Sequence, residues 1–323
     1  MYVNNYFLKI FRFFFICFFI FFLCTSTKLI FFLLVLEWNT LLVILILFLK
    51  RVYSVNESVF VYYILKTLAF ILFLWGILFY KEDLIILRFF LKLGFFPFAW
   101  WFPYISDSLN YFSLFLLSVV QKLVPLCLFF WNNTLKGGLF FAVVVVNVIV
   151  SLINLVYNQN KIKVFLAWSS RINFSWMLLL FFQRWTYGFT YYFYYILVFS
   201  FFLYTISSEK VFWDQICFSE RNTLVVCVLS LCAFSGFPPF LGFFYKIIFF
   251  SSWRVQFFLV KIVSPLMWIG IFSVLFAWNS FIYIKMLFKL KINKWYLRSR
   301  VRKSYILYFF LGFILFSFFS YYI

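Results

Sequence analysis

Apolar runs of about 20 residues follow one another along this chain with little between them, and that succession limits what it can fold into. The stretch 28–49, "KLIFFLLVLEWNTLLVILILFL", is typical: one acid and one terminal lysine in 22 positions. Of 323 residues, 67% are hydrophobic and 11% charged. A soluble domain has about 45–50% apolar and about 25% charged residues. A chain this apolar cannot hide its surface from water, so its solvent is lipid. The 58 phenylalanines are consistent with T-rich codon usage, and no function is read from them.

A membrane-spanning helix needs about 20 mostly apolar residues. The sequence predicts an all-α polytopic membrane protein with about eleven spans: 6–24, 28–49, 58–80, 84–104, 110–131, 137–157, 161–182, 189–207, 223–250, 257–284 and 304–322. The N-terminal Lys9 and Arg12 precede an apolar run as in a signal peptide, but further spans follow to the C-terminus, so the run reads as the first span. No stretch reads as a soluble domain, and 1–323 is expected to form one membrane domain.

The net charge is +20. With the N-terminus on the inner face, sixteen basic residues fall in inner loops, from Lys9 and Arg12 to the run Lys285–Lys303. Five fall in outer loops: Lys28, Lys81, Lys136, Arg184 and Arg254. That asymmetry follows the positive-inside rule and places the C-terminus outside. It also removes the case for nucleic-acid binding. The basic run 285–303 is expected to be a solvated inner loop rather than a lipid-headgroup site.

Histidine is absent, and the six cysteines show no C-x-x-C spacing, so zinc, haem and iron–sulfur ligation are not expected. No G-x-G-x-x-G or P-loop pattern is present, which argues against nucleotide binding.

Seven basic residues remain within or near the spans. Arg88, Arg171 and Lys261 lie close to span ends and are expected to snorkel to the headgroups. Lys66, Lys92, Lys122 and Lys246 are deeper, and Glu37 is the one acid inside a span. An ionisable residue at membrane depth costs about 3 kcal/mol or more and usually lines a polar path. A set of structural salt bridges fails on arithmetic, because one acid cannot neutralise several lysines. A deep lysine is also not a fixed charge, since burial and neighbouring charges both move its proton affinity. These residues point to a proton or cation pathway.

Two spans carry clusters of glycine and proline. The fourth reads "LKLGFFPFAWWFPY", with Gly94, Pro97 and Pro103. The ninth reads "LCAFSGFPPFLGFFYKIIFF", with Gly236, Pro238, Pro239, Gly242 and then Lys246. Proline removes a backbone donor and interrupts a helix. Irregular backbone at membrane depth is tolerated only inside protein or beside a wet cavity. Interrupted spans in corresponding halves point to an inverted-repeat transporter. The halves are expected at about 1–131 and 137–284, each of five helices, with the breaks in the fourth and ninth helices, Lys92 and Lys246 as counterparts, and an added C-terminal helix.

Five motifs in order carry a family resemblance. "LEWNTLLVILI" (36–46) resembles a Glu-bearing helix, and "KLGFFPFAWWFP" (92–103) a K-L-G-x-x-P-F-H-x-W-x-P segment. "QKLVPL" (121–126) is similar to Q-K-L-A-P, and "KVFLAWSSRINFSWM" (163–177) to K-x-x-A-Y-S-S-x-x-H-x-G-W-M. "SGFPPFLGFFYK" (235–246) is similar to G-G-L-P-P-x-x-G-F-x-x-K. The family is that of subunit 2 of mitochondrial NADH:ubiquinone oxidoreductase (respiratory complex I), within the antiporter-like proton-pumping subunits.

The resemblance implies roles. Glu37 and Lys92 form the Glu/Lys pair of a first half-channel, Lys122 is the central lysine, and Lys246 the terminal one. It implies no cofactor in this chain; FMN, iron–sulfur clusters and ubiquinone belong to other subunits. It implies the mitochondrial inner membrane, with the N-terminus on the matrix side and the C-terminus facing the intermembrane space. Its implied partners are lipids, other membrane-arm subunits, neighbouring antiporter-like subunits and the lateral helix of the distal one. Longer family members have three more N-terminal helices; the resemblance implies that this chain starts at the equivalent of the fourth or that its start is supplied by another polypeptide. Ala99 and Asn173 stand where the family has histidines, and Lys66 stands where relatives often have an uncharged residue. A relay is then expected to use water and Ser, Thr or Tyr hydroxyls, with Lys66 either an extra relay or a structural group. A stand-alone cation/proton antiporter and a structural membrane subunit with a degenerate channel remain open.

Overall fold

The glycines of the two punctuated spans, not their prolines, end the helices. A computed structural model describes residues 40–41, 43–44, 53–79, 82–122, 138–206, 212–213, 221–238, 240–256 and 265–292. Among these, every named element is helical, and Lys161 and Phe212 form an isolated antiparallel bridge. The chain divides into two compact units, Met1–Phe140 and Phe141–Ile323.

The first unit contains α1 (Tyr53–Leu78), α2 (Glu82–Leu93), α3 (Trp101–Ser108) and α4 (Tyr111–Phe115). α4 runs on into a π-helical turn, Leu116–Val120. The expected fourth span is therefore α2 and α3 with an irregular link between them. α1 shows why the chain needs lipid. Its exposed residues Phe60, Ile64, Leu68, Ile71, Trp75 and Leu78 recur every three or four positions, one helix face without a charged group. In water each would forgo about 1.5–3 kcal/mol of burial. The opposite face, with Tyr62, Leu65, Lys66, Ala69 and Phe73, is buried against α2 and α3. Polar groups are inside and hydrocarbon is outside.

The second unit contains α6 (Ile162–Gln183), α7 (Trp185–Thr205), α8 (Arg221–Ser235), α9 (Leu241–Gln256) and α10 (Pro265–Ile292), entered from α5 (Gly138–Tyr157). α8 and α9 are the expected ninth span, again in two pieces. α6 is its centre, buried along its whole apolar length, with α7 and α9 packed on it. Trp176 of α6 meets Phe249 and Phe272 edge-on or tilted at 5.5 Å between centroids, a favourable aromatic arrangement. α10 continues to Ile292, so Lys285, Lys289 and Lys291 of the expected basic loop extend a helix.

Among the described residues, three helices are long and apolar enough to cross a membrane by length and composition: Glu57–Gly76, Ile162–Phe181 and Gly270–Leu287. Shorter apolar helices include Tyr111–Val120, Ala142–Tyr157 and Leu224–Ser235. The expected spans 6–24 and 304–322, and nearly all of 28–49, lie outside the described residues.

Candidate proton-handling sites

Each break is a helix C-terminus inside protein, where the last carbonyls have no helical partner. In the first unit Gly94 has φ +69°, a left-handed conformation that costs an L side chain about 1–2 kcal/mol. That turn lets Gly94 N–H bond Leu91 O at 3.2 Å and Phe95 N–H bond Phe90 O at 2.8 Å. These two bonds form a Schellman cap. In the second unit Gly236 has φ +77°, with Gly236 N–H to Ala233 O at 3.3 Å and Phe237 N–H to Cys232 O at 3.2 Å. Pro97 and Pro238 come after these caps, where proline bars the helix from resuming.

Side chains complete both caps in parallel. Trp101 Nε1 donates to Leu91 O at 3.2 Å, and Tyr194 Oη donates to Ala233 O at 3.1 Å. These two carbonyls hold the same place in their caps. A lysine then takes a carbonyl at the very end of each half-helix. Lys66 Nζ donates to Lys92 O at 2.9 Å, and Lys246 Nζ donates to Ser235 O at 2.7 Å. A cation belongs there, at the negative end of the helix dipole. Both ammonium groups also sit over aromatic rings. Lys66 Nζ is 5.0 Å from the Tyr62 centroid and 5.2 Å from that of Trp101; Lys246 Nζ is 4.5 Å from that of Phe276.

The first unit also encloses a small cavity, with roughly room for one water molecule. Tyr62, Lys66, Lys92, Trp101, Gln121 and Lys122 are among its lining residues. Three lysines from three helical segments thus line one space. Lys122 follows the π-helical turn, and its Nζ lies 5.4 Å from the Phe102 centroid. Single π turns inside helices recur at functional sites because the extra residue re-aims the side chains after it. Tyr62 Oη donates to Gln121 Oε1 at 3.4 Å and ties α1 to this segment.

Several expectations change. Lys92 and Lys246 are not counterparts: Lys92 precedes its break on α2, whereas Lys246 follows its break on α9. Lys66, undecided in the sequence, lies in the cavity with Lys92 and Lys122. Arg171 and Arg88 do not snorkel. Both are buried in protein, with Arg171 Cζ 4.8 Å from the Trp168 ring and Arg88 Cζ 3.4 Å from that of Phe73. Cation–π contact with fixed rings offsets part of the desolvation cost at those depths. Lys261 and Glu37 lie outside the described residues.

Asn173 is buried and accepts from Tyr191 Oη at 3.0 Å. The Tyr191 ring is 5.4 Å from that of Tyr245, and 6.1 Å from that of Tyr194, whose hydroxyl caps Ala233 O. Asn147 Nδ2 donates to Ser175 Oγ at 2.9 Å, and Ser175 Oγ donates to Arg171 O at 2.9 Å. These hydroxyls line the buried core of the second unit. Tyr191 and Tyr194 were missed in the sequence because aromatic residues are common in every span here; their one signal was two hydroxyls three positions apart on a helix face.

Comparisons with known proteins point to the same family as the motifs. No protein-family model matches the chain. It is 29% identical over 154 residues to the NADH-ubiquinone oxidoreductase chain 2 of Aedes aegypti, covering 46% of this chain and 44% of that protein. It is 31% identical over 154 residues to the protein of that name from Anopheles gambiae, with the same coverages. For the Rhipicephalus sanguineus protein of that name it is 27% identical over 223 residues, 61% of this chain and 67% of the other. The matches to the two mosquito proteins span less than half of those proteins' length. In structure, the chain resembles a chain of Thermus thermophilus respiratory complex I with a TM-score of 0.63 at 19% identity, covering 82% of this chain and 66% of that one. It resembles a chain of an archaeal membrane-bound sulfane sulfur reductase with a TM-score of 0.67 at 14% identity, over 90% and 67%. It resembles a chain of the Mrp complex of a Dietzia species with a TM-score of 0.64 at 14% identity, over 85% and 58%. The sequence relatives bear out the resemblance read from the motifs, and the structural ones share its fold.

Proposed function

We propose that this chain is a proton-translocating membrane-arm subunit of an NADH:ubiquinone oxidoreductase, driven by quinone reduction in other subunits. The observation that carries the reading is the cavity lined by Lys66, Lys92 and Lys122 beside a lysine-capped helix break. Three lysines lining one low-dielectric space cannot all hold a proton cheaply, so protonating one disfavours protonating another. A lysine at a broken helix can exchange a proton and still donate a hydrogen bond to the same carbonyl, so its position survives the change of charge.

In this reading Glu37 partners Lys92, Lys122 is the central site, and Lys246 delivers or receives the proton at the far end. Hydroxyls of Tyr191 and Tyr194, with water, take the part of the family histidines. The chain supplies no redox group; FMN, iron–sulfur clusters and ubiquinone work in other subunits. It lies in the mitochondrial inner membrane with the N-terminus on the matrix side. Its neighbours are lipids and other membrane-arm subunits, including antiporter-like ones and the lateral helix of the distal one.

The test uses sealed inner-membrane vesicles holding the complete complex. Glu37→Gln and Lys122→Met are expected to assemble while moving fewer protons per NADH oxidised. Unchanged pumping in both sinks the assignment. A second reading, a stand-alone cation/proton antiporter, uses the same buried lysines and broken helices. Mild detergent extraction separates the two. A pump subunit co-migrates with a very large NADH-oxidising assembly, and an antiporter does not. A structural subunit with a degenerate channel fits the two lost histidines, but it leaves the three-lysine cavity without a purpose.

A further inference from the structure

We infer that Lys66 is a fourth proton-carrying lysine of this chain and the first unit's functional counterpart of Lys246. The inference rests on the proton-pumping reading above.

The two breaks match residue for residue at a constant offset. Phe90, Leu91, Gly94 and Phe95 do in the first cap what Cys232, Ala233, Gly236 and Phe237 do in the second. Trp101 and Tyr194 give the matching donors to Leu91 O and Ala233 O. Carried onto the first break, the position of Lys246 falls on Tyr104, which is exposed and carries no ammonium group. The cation at the end of that half-helix comes from another helix. Lys66 reaches across from α1 to Lys92 O, next to the carbonyl that matches Ser235 O. The device is the same, and the helix that supplies the lysine differs.

Position alone would make Lys66 a cap. Two further facts make it more. Lys66 is buried and lines the same small cavity as Lys92 and Lys122, so its proton has somewhere to go. The bond it donates to Lys92 O is to a neutral carbonyl, which a neutral amine can also serve. The step balances simply. A protonated Lys66 gives one proton to a water in the cavity, and that water gives one to the neutral amine of Lys92 or Lys122. One N–H bond breaks, one forms, and a single positive charge moves between amines. Lys66, now neutral, still donates to Lys92 O and waits to be reprotonated.

Lys66→Arg and Lys66→Gln in the complete complex, in sealed vesicles, test this. Arginine keeps the charge and the donors but does not release a proton; glutamine keeps a donor without charge. Both are expected to lower protons moved per NADH oxidised at least twofold and to change the pH profile of pumping. Wild-type ratio and profile in both make Lys66 a helix cap only and overturn the inference. So does failure of both variants to assemble, which marks a structural cation. If only the glutamine variant fails to assemble, the arginine variant decides. Lys246→Met, run alongside, tests the reading beneath. If pumping survives there, that reading fails. If pumping is lost there but normal in the Lys66 variants, only the role of Lys66 fails.

Discussion

Lys246 Nζ lies 2.7 Å from the backbone oxygen of Ser235, the residue that closes α8 before the break. The chain turns through Gly236 and a short link, re-enters a helix, and returns an ammonium group to the end it has just left. A Cβ on Gly236 would come within 2.8 Å of that Nζ. Lysine, carbonyl and glycine therefore form one local unit.

Lys246→Met removes the ammonium and leaves Ser235 O to find another donor, at a cost of about 1–3 kcal/mol if it finds none. Proton movement per NADH is expected to fall at least tenfold, with a smaller loss of assembled complex. Vesicle acidification and native gels on one preparation read the two effects separately.

Glycine substitutions are expected to rank by geometry. Gly236→Ala combines a left-handed backbone, about 1–2 kcal/mol, with displacement of Lys246 Nζ. It should cut pumping more than assembly. Gly242→Ala puts a methyl 3.1 Å from Ala233 O and 3.4 Å from Gly236 Cα, both backbone, so it should weaken assembly itself. Gly270→Ala meets nothing within 4 Å and should be neutral or gain up to about 1 kcal/mol from helix propensity. Thermal inactivation midpoints of the purified complexes check the order.

Tyr191→Phe removes the donor to Asn173 Oδ1. A cycle with Asn173→Ala is expected to show a coupling of about 1 kcal/mol in complex stability. If the hydroxyl carries protons, Tyr191→Phe also slows pumping beyond its effect on stability. Equal loss in both measures makes the tyrosine structural.

Two substitutions at one position of α1 test which side faces lipid. Leu68, exposed, is two residues from buried Lys66. Leu68→Lys is expected to add about 3 kcal/mol to membrane insertion of the segment and to block assembly, while Leu68→Val is near neutral. Insertion assayed by glycosylation of flanking acceptor sites distinguishes them. Similar insertion for both would put that face against protein.

The apolar runs required helices in lipid because hydrogen bonding inside each helix satisfies the backbone without water. Breaker residues then located both interruptions: "KLGFFP" and "SGFPP" name where α2 and α8 end. Lys92, Lys122 and Lys246 stood out because a charge at depth is costly wherever it packs. What could not be read was who meets whom. Snorkelling was the sensible expectation for Arg171 from its distance to a span end, yet its burial depends on α6 being wrapped by other helices. The match of Lys92 with Lys246 rested on shared motifs, and motif position does not say which chain segment reaches a freed carbonyl.

Fold class, helix ends and the demand for a polar interior follow from local chemistry, since backbone satisfaction and transfer energy act on each residue by itself. The pairing of Lys66 with Lys92 O, the common cavity with Lys122 and the Tyr191–Asn173 bond came only from packing. Side chains distant along the chain share a place only when helices set their rotation and depth, and those are decided by how the apolar faces fit.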